Sequence, residues 1–172
     1  MKSLESNQVE QLLQILQKKH GQRIVHFCES PNIFIENLHQ FCQTYDNAYY
    51  LYCTKDECYD TSLLHYTDQS HIKIFKFMLR RPRYLMQGIE YDYLISTLDF
   101  SSEDKEIFLE KCYPIIRTGG NIIIIIPNSS YAERDEWWDI LEKQYYVSVS
   151  IIDDMFDEYD VIVAKRMHGW GN

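Results

Sequence analysis

Residues 29–32 of this sequence, Glu-Ser-Pro-Asn, place a carboxylate, a hydroxyl and an amide together. They fall between an apolar stretch, "RIVHFC", and an amphipathic one, "IFIENLHQFC". Such side chains at the carboxyl end of a strand are suited to polar contacts with a small ligand. Junctions of this kind in nucleotide-binding folds are glycine-rich, since glycine lets the backbone approach the ligand. Here there is no glycine at all. The structural alternative is a tight helix start with no ligand.

Three further groups carry chemical potential. From Lys73 to Arg83 the chain bears Lys73, Lys76, Arg80, Arg81 and Arg83 without one acidic residue. Guanidinium groups fork onto phosphate or carboxylate, so Arg80, Arg81 and Arg83 are anion-binding candidates. A lysine-protected edge strand is the competing explanation. Asp153, Asp154, Asp157 and Glu158 form an acidic turn, suited to a hard cation or simply to solvent. The six histidines show no paired spacing for metal or triad chemistry. The cysteines at 28, 42, 53, 58 and 112 lack a zinc-knuckle spacing, so no metal site is expected. The glycine fingerprints of dinucleotide and P-loop sites are absent.

A net charge of −9 argues against nucleic-acid or anionic-membrane partners, except through the Lys73–Arg83 stripe. No stretch has the length and polarity of a membrane span, and "MKSLESNQVEQLLQ" is too polar for a signal peptide. A cytoplasmic location with reduced thiols is the expectation.

The elements that must position these groups follow from periodicity. Val9, Leu12, Leu13 and Leu16 predict a helix over 7–19, capped by Asn7 and Glu10 and stopped at Gly21. Strands are predicted at 23–29, 48–54, 72–78, 91–97, 121–127 and 146–152, and a last one at "DVIVAKR". Helices are predicted from Pro31, weakly over 55–66, over 102–117 with a Ser101–Asp104 cap, and after Ser130 with Glu133. Pro114 should bend the third of these, and Gly119-Gly120 should end it. The last should bury Trp137, Trp138, Leu141 and Tyr145.

Five consecutive isoleucines, 122–126, exclude a strand with one wet face and predict a central parallel strand between helical layers. Strand-helix alternation gives parallel pairing, and the last two strands, lacking a crossover helix, should pair antiparallel. The predicted fold is α/β: a doubly wound, mostly parallel seven-stranded sheet, helices on both faces, and a C-terminal antiparallel hairpin. One domain is expected over 1–172, with an N-terminal helix in 1–21, the sheet core in 22–167 and a tail at 168–172.

At this point "YDYLISTLDF", "RTGG", "NIIIIIP" and the terminal "YDVIVAKR" resemble class I S-adenosylmethionine (SAM)-dependent methyltransferases. The motif-level match covers residues 91–127. The resemblance implies a ligand crevice between strands one and four, lined by Glu29, Ser30, Asn32, Thr97 and Asp99. In the family an acidic residue after strand two holds the ribose hydroxyls. Here that place reads Cys53-Thr54, with Asp56 slightly late, so Thr54 and Asp56 join the cofactor-binding candidates. The family's glycine loop is replaced by Ser30-Pro31-Asn32. The acid after its strand three gives way to Phe77, Met78 and Arg80-Arg81.

The resemblance implies methyl transfer from SAM to an unnamed acceptor through a degenerate cofactor loop. Two alternatives stand beside it: a non-catalytic binding or scaffolding subunit, and a binder of another anionic nucleotide. A small-molecule ligand, a protein partner or a homodimer are all compatible with the sequence.

Overall fold

Ile122–Ile126 sit at the middle of the sheet, and every one of them is buried. Their side chains alternate between faces, as strand geometry requires. Ile123 and Ile125 enter one core, and Ile122, Ile124 and Ile126 enter the other. The computed structural model describes residues 6–84 and 88–167. The predicted tail, 168–172, lies outside the described residues.

The strands are β1 (Arg23–Cys28), β2 (Ala48–Cys53), β3 (Ile72–Lys76), β4 (Tyr91–Ser96), β5 (Ile116–Pro127), β6 (Tyr146–Ile152) and β7 (Tyr159–Arg166). Their order in the sheet is β3-β2-β1-β4-β5-β7-β6. β1 to β5 pair in parallel, and β7 is antiparallel to both β5 and β6. The isoleucine strand therefore has one parallel neighbour, β4, and one antiparallel neighbour, β7, within the mostly parallel sheet and antiparallel hairpin expected.

The helices are α1 (Ser6–Leu13), α2 (Ile33–Thr44), α3 (Asp56–Tyr66), α4 (Ser102–Cys112) and α5 (Tyr131–Lys143). α1, α2 and α3 cover one face, burying Leu12, Phe34, Leu38 and Cys58 against β1, β2 and β4. α4 and α5 cover the other through Phe108, Leu109, Trp137 and Leu141. The β3–β4 crossover has no helix among its described residues. Instead it lays Tyr84 against Phe27, Phe77 and Phe108.

Several local expectations change. α1 ends at Leu13 and tightens into a turn of three-residue hydrogen bonds that still buries Leu16. Asn7 bonds the neighbouring N–H of Gln8 rather than forming a capping box. α2 begins after Asn32, whose side chain accepts from Ile35 N, so Pro31 stands outside the helix. Ser101 bonds the Asp104 carboxylate at 2.6 Å instead of a backbone N–H. Ser130 and Glu133 do form the expected box.

α4 stops at Cys112, where Pro114 shapes a single 3-10 turn, and the strand already resumes at Ile116. Gly119-Gly120 thus lies inside β5, at a bulge opposite Tyr91–Tyr93, and does not end a helix. Trp138 and Tyr145, expected inside, are exposed.

Candidate functional site

The strand order reverses between β1 and β4, which places their carboxyl ends at the position where open α/β sheets bind ligands. Glu29 directly follows β1. Its carboxylate forms an ion pair with Lys55, the residue just before α3. Its other oxygen accepts the backbone N–H of Asp99 at 3.4 Å. Burial pushes the Glu29 carboxyl up, but the Lys55 ammonium and the Asp99 N–H outweigh it, so Glu29 titrates below the usual glutamate value. It is ionised and already partnered.

Ser30 and Asn32 are engaged in building the turn. The Asn32 amide donates to Ser30 O at 3.1 Å, and the Cys28 thiol donates to the same carbonyl at 3.0 Å. Thr54 returns to β1, its backbone N–H meeting Cys28 O at 3.0 Å. Asp56, the candidate ribose carboxylate, pairs with Lys76 at 2.6 Å and is largely exposed. The chain Glu29–Lys55, then Asp56–Lys76, laces together the carboxyl ends of β1, β2 and β3.

Thr97 does not face a ligand space. It is buried, and its hydroxyl lies 2.9 Å from Nε2 of His26. The other ring nitrogen of His26 lies 2.8 Å from the Tyr49 hydroxyl. Burial pushes the His26 imidazole down to about 3, so this is a neutral structural relay beneath the crevice.

The basic stripe is only partly free. Lys76 is paired, and Arg80 reaches Asp104 at 3.3 Å and Glu103 at 3.9 Å. Arg81 is half-buried, and its carbonyl accepts from Lys111. Arg83 is exposed, and Lys73 lies over the Tyr50 ring. The acidic turn is drawn toward Arg134, which binds Asp153 at 2.6 Å and the buried Asp160 at 3.0 Å. Among the described residues no group of three or more His, Cys, Asp or Glu is placed to hold a metal ion. Nor, among them, is any helix long and apolar enough to cross a membrane.

A cleft of about 230 Å³ opens beside the crevice, between the carboxyl ends of β4 and β5. Leu98, Asp99, Phe100, Lys105, Ile126 and Trp137 line it. Lys105 is nearly buried, held by Glu136 at 2.6 Å and lying over the Trp137 ring. Of the predicted site residues only Asp99 borders this cleft.

Sequence reasoning missed Lys55. It lies between the two candidates Thr54 and Asp56, and no local pattern marks it as the partner of Glu29. An ammonium only donates hydrogen bonds, so it cannot take the protons of ribose hydroxyls as a carboxylate does. Both carboxylates at the crevice are held by such groups, Glu29 by Lys55 and Asp56 by Lys76.

No family model matches this sequence, and no curated protein matches it. Solved structures do. The chain is similar to a SAM-dependent O-methyltransferase from Thermotoga maritima, with a TM-score of 0.73 and 13% identity, covering 100% of this chain and 69% of that one. It is similar to a TehB-like SAM-dependent methyltransferase from Corynebacterium glutamicum, with a TM-score of 0.70 and 9% identity, over 92% of this chain and 86% of that one. Human N-acetylserotonin methyltransferase in complex with SAM gives 0.69 and 14% identity, over 92% of this chain but only 51% of the human one. Likeness at such low identity speaks for architecture and not for activity: this chain has the class I SAM-dependent methyltransferase fold.

Proposed function

We propose that this protein is a methyltransferase-fold binding subunit without catalytic activity, in which the crevice of the fold has become a structural joint with at most weak affinity for SAM. One observation carries the reading: the crevice carboxylates are already in ion pairs, Glu29 with Lys55 and Asp56, the ribose candidate, with Lys76, which tie β1, β2 and β3 together. Pro31 supports it, because its ring adds bulk and removes a donor beside the turn. Losing a charged hydrogen bond of the ribose kind costs about 1.5–3 kcal/mol, or roughly one to two decades of affinity.

Titration calorimetry of the purified protein with SAM tests this. The expected outcome is no saturable heat below about 1 mM ligand. A dissociation constant in the low micromolar range, weakened by Glu29→Ala, overturns it.

Methyl transfer is the second reading, and the cleft at Leu98, Lys105 and Trp137 favours it. An acceptor held there would border Asp99, the residue whose N–H meets Glu29. Proximity would then supply most of the rate, without a strong general base.

A further inference from the structure

α5 has two apolar lines, and the domain uses only one. Trp137 and Leu141 are buried against the sheet. On the outward side stand Tyr131, 84% exposed, Trp138, 39% exposed, and Tyr145, 69% exposed just beyond the helix end. Tyr131 and Trp138 are seven residues apart, about two helical turns, so they share one line along the axis, while Tyr145 follows the helix end with a left-handed backbone, φ 64. Large aromatic side chains left in water in such a row are the composition of a binding surface rather than of a solvated face.

The charge beside the row selects its occupant. Asp135, Asp139 and Glu142 are exposed along it, and the Trp138 indole donates to Glu142 at 2.9 Å. The nearby cations are already partnered: Arg134 binds Asp153 and Asp160 with its guanidinium over the Tyr131 ring, and Lys143 binds Glu106. Among the described residues neither Asp135 nor Asp139 has an ion pair. A second copy laid on this face would set carboxylate against carboxylate, in a chain that already carries a net charge of −9.

We propose that the exposed aromatic side chains of α5 and its C-terminal end, Tyr131, Trp138 and Tyr145, form a docking surface for a basic, amphipathic segment of another protein. Its Lys or Arg side chains lie across the Trp138 and Tyr145 rings and end at Asp135, Asp139 and Glu142, while its apolar residues cover the rest of the aromatic surface. Cation–π contact and desolvated aromatic area supply the attraction, and the carboxylates set the sign of the partner. The surface lies outside the crevice, so the inference holds whether or not SAM binds.

The test uses a fluorescent synthetic helix of Leu and Lys, about 15 residues long, and its Leu–Glu counterpart, in polarisation titrations with the whole protein. The expected result is saturable binding of the basic peptide that weakens with salt, and none of the acidic one. Trp138→Ala with Tyr145→Ala, and separately Asp135→Lys with Asp139→Lys, should each weaken binding at least tenfold while the melting curve keeps its midpoint. Absence of saturable binding, or equal binding by these variants, overturns the proposal. So does sedimentation showing a dimer that Trp138→Ala dissolves, which would make a second copy the occupant.

Discussion

Nε2 of His26 lies 2.9 Å from the hydroxyl of Thr97, and its Nδ1 lies 2.8 Å from that of Tyr49. With both nitrogens occupied and no solvent, the ring stays neutral in the fold down to a pKa of about 3, whereas the unfolded chain protonates it near 6.5. The unfolded state thus binds more protons between those values, and stability from this group is lost as pH falls through that window. The expected loss is about 2 kcal/mol between about pH 7 and about pH 5. His39, also held below its ordinary value by burial, adds in the same direction. Urea melts at the two pH values check this, and His26→Asn should flatten the difference.

Ile124 is fully buried, paired with Ser96 of β4 on one side and Ile162 of β7 on the other. Ile124→Ala should cost about 2–5 kcal/mol in chemical denaturation, because the sheet cannot collapse around the lost volume. The amides of Ile123–Ile125 should exchange among the slowest in the protein. Exchange there at loop rates would contradict the central placement of β5.

Gly120 and Gly21 should respond differently to alanine. A Cβ at Gly120 would meet Ile116 Cγ2 at 2.8 Å, Arg117 O at 2.9 Å and Asp92 O at 3.0 Å, two of them backbone atoms that cannot swing away. Gly21, at φ +75, has open space around it and faces only the left-handed backbone cost, of about 1 kcal/mol. Gly120→Ala should therefore cost more, about 1–3 kcal/mol, and thermal melts of the two variants give the order.

The basic stripe should not retain the protein on heparin at physiological salt. Lys76 and Arg80 are neutralised by Asp56 and Asp104, which leaves too few free cations beside so many acids. Retention abolished by Arg81→Glu with Arg83→Glu would reverse this and make the stripe an anion site.

The sheet was legible because its signals are local. The isoleucine run and the Ser130–Glu133 cap each lie within a few residues of themselves. Gly119-Gly120 was misread for a physical reason: a glycine pair serves a helix stop and a strand bulge equally well, and only the Asp92 backbone across the sheet decides between them. Trp138 and Tyr145 were misplaced because periodicity reports that a helix has apolar positions, not how many of them its own domain covers. The crevice was legible as a location but not as a network. Lys55 lies 26 residues from Glu29, and Thr97 lies 71 from His26. No spacing rule links partners brought together by strand order.

β7 comes last among the strands in the chain, yet it sits inside the sheet, between β5 and β6. During synthesis, Ile122–Ile126 emerge well before residues 159–166 that will pair with them. At some 5–20 residues per second, that strand spends seconds with an open, wholly apolar edge. The nascent chain passes through a sticky interval that no rearrangement of its earlier part can shorten, and a ribosome stalling between Lys143 and Tyr159 would prolong it. Completion of the sheet is in this sense a timed event, set by translation speed as much as by the stability of the finished molecule.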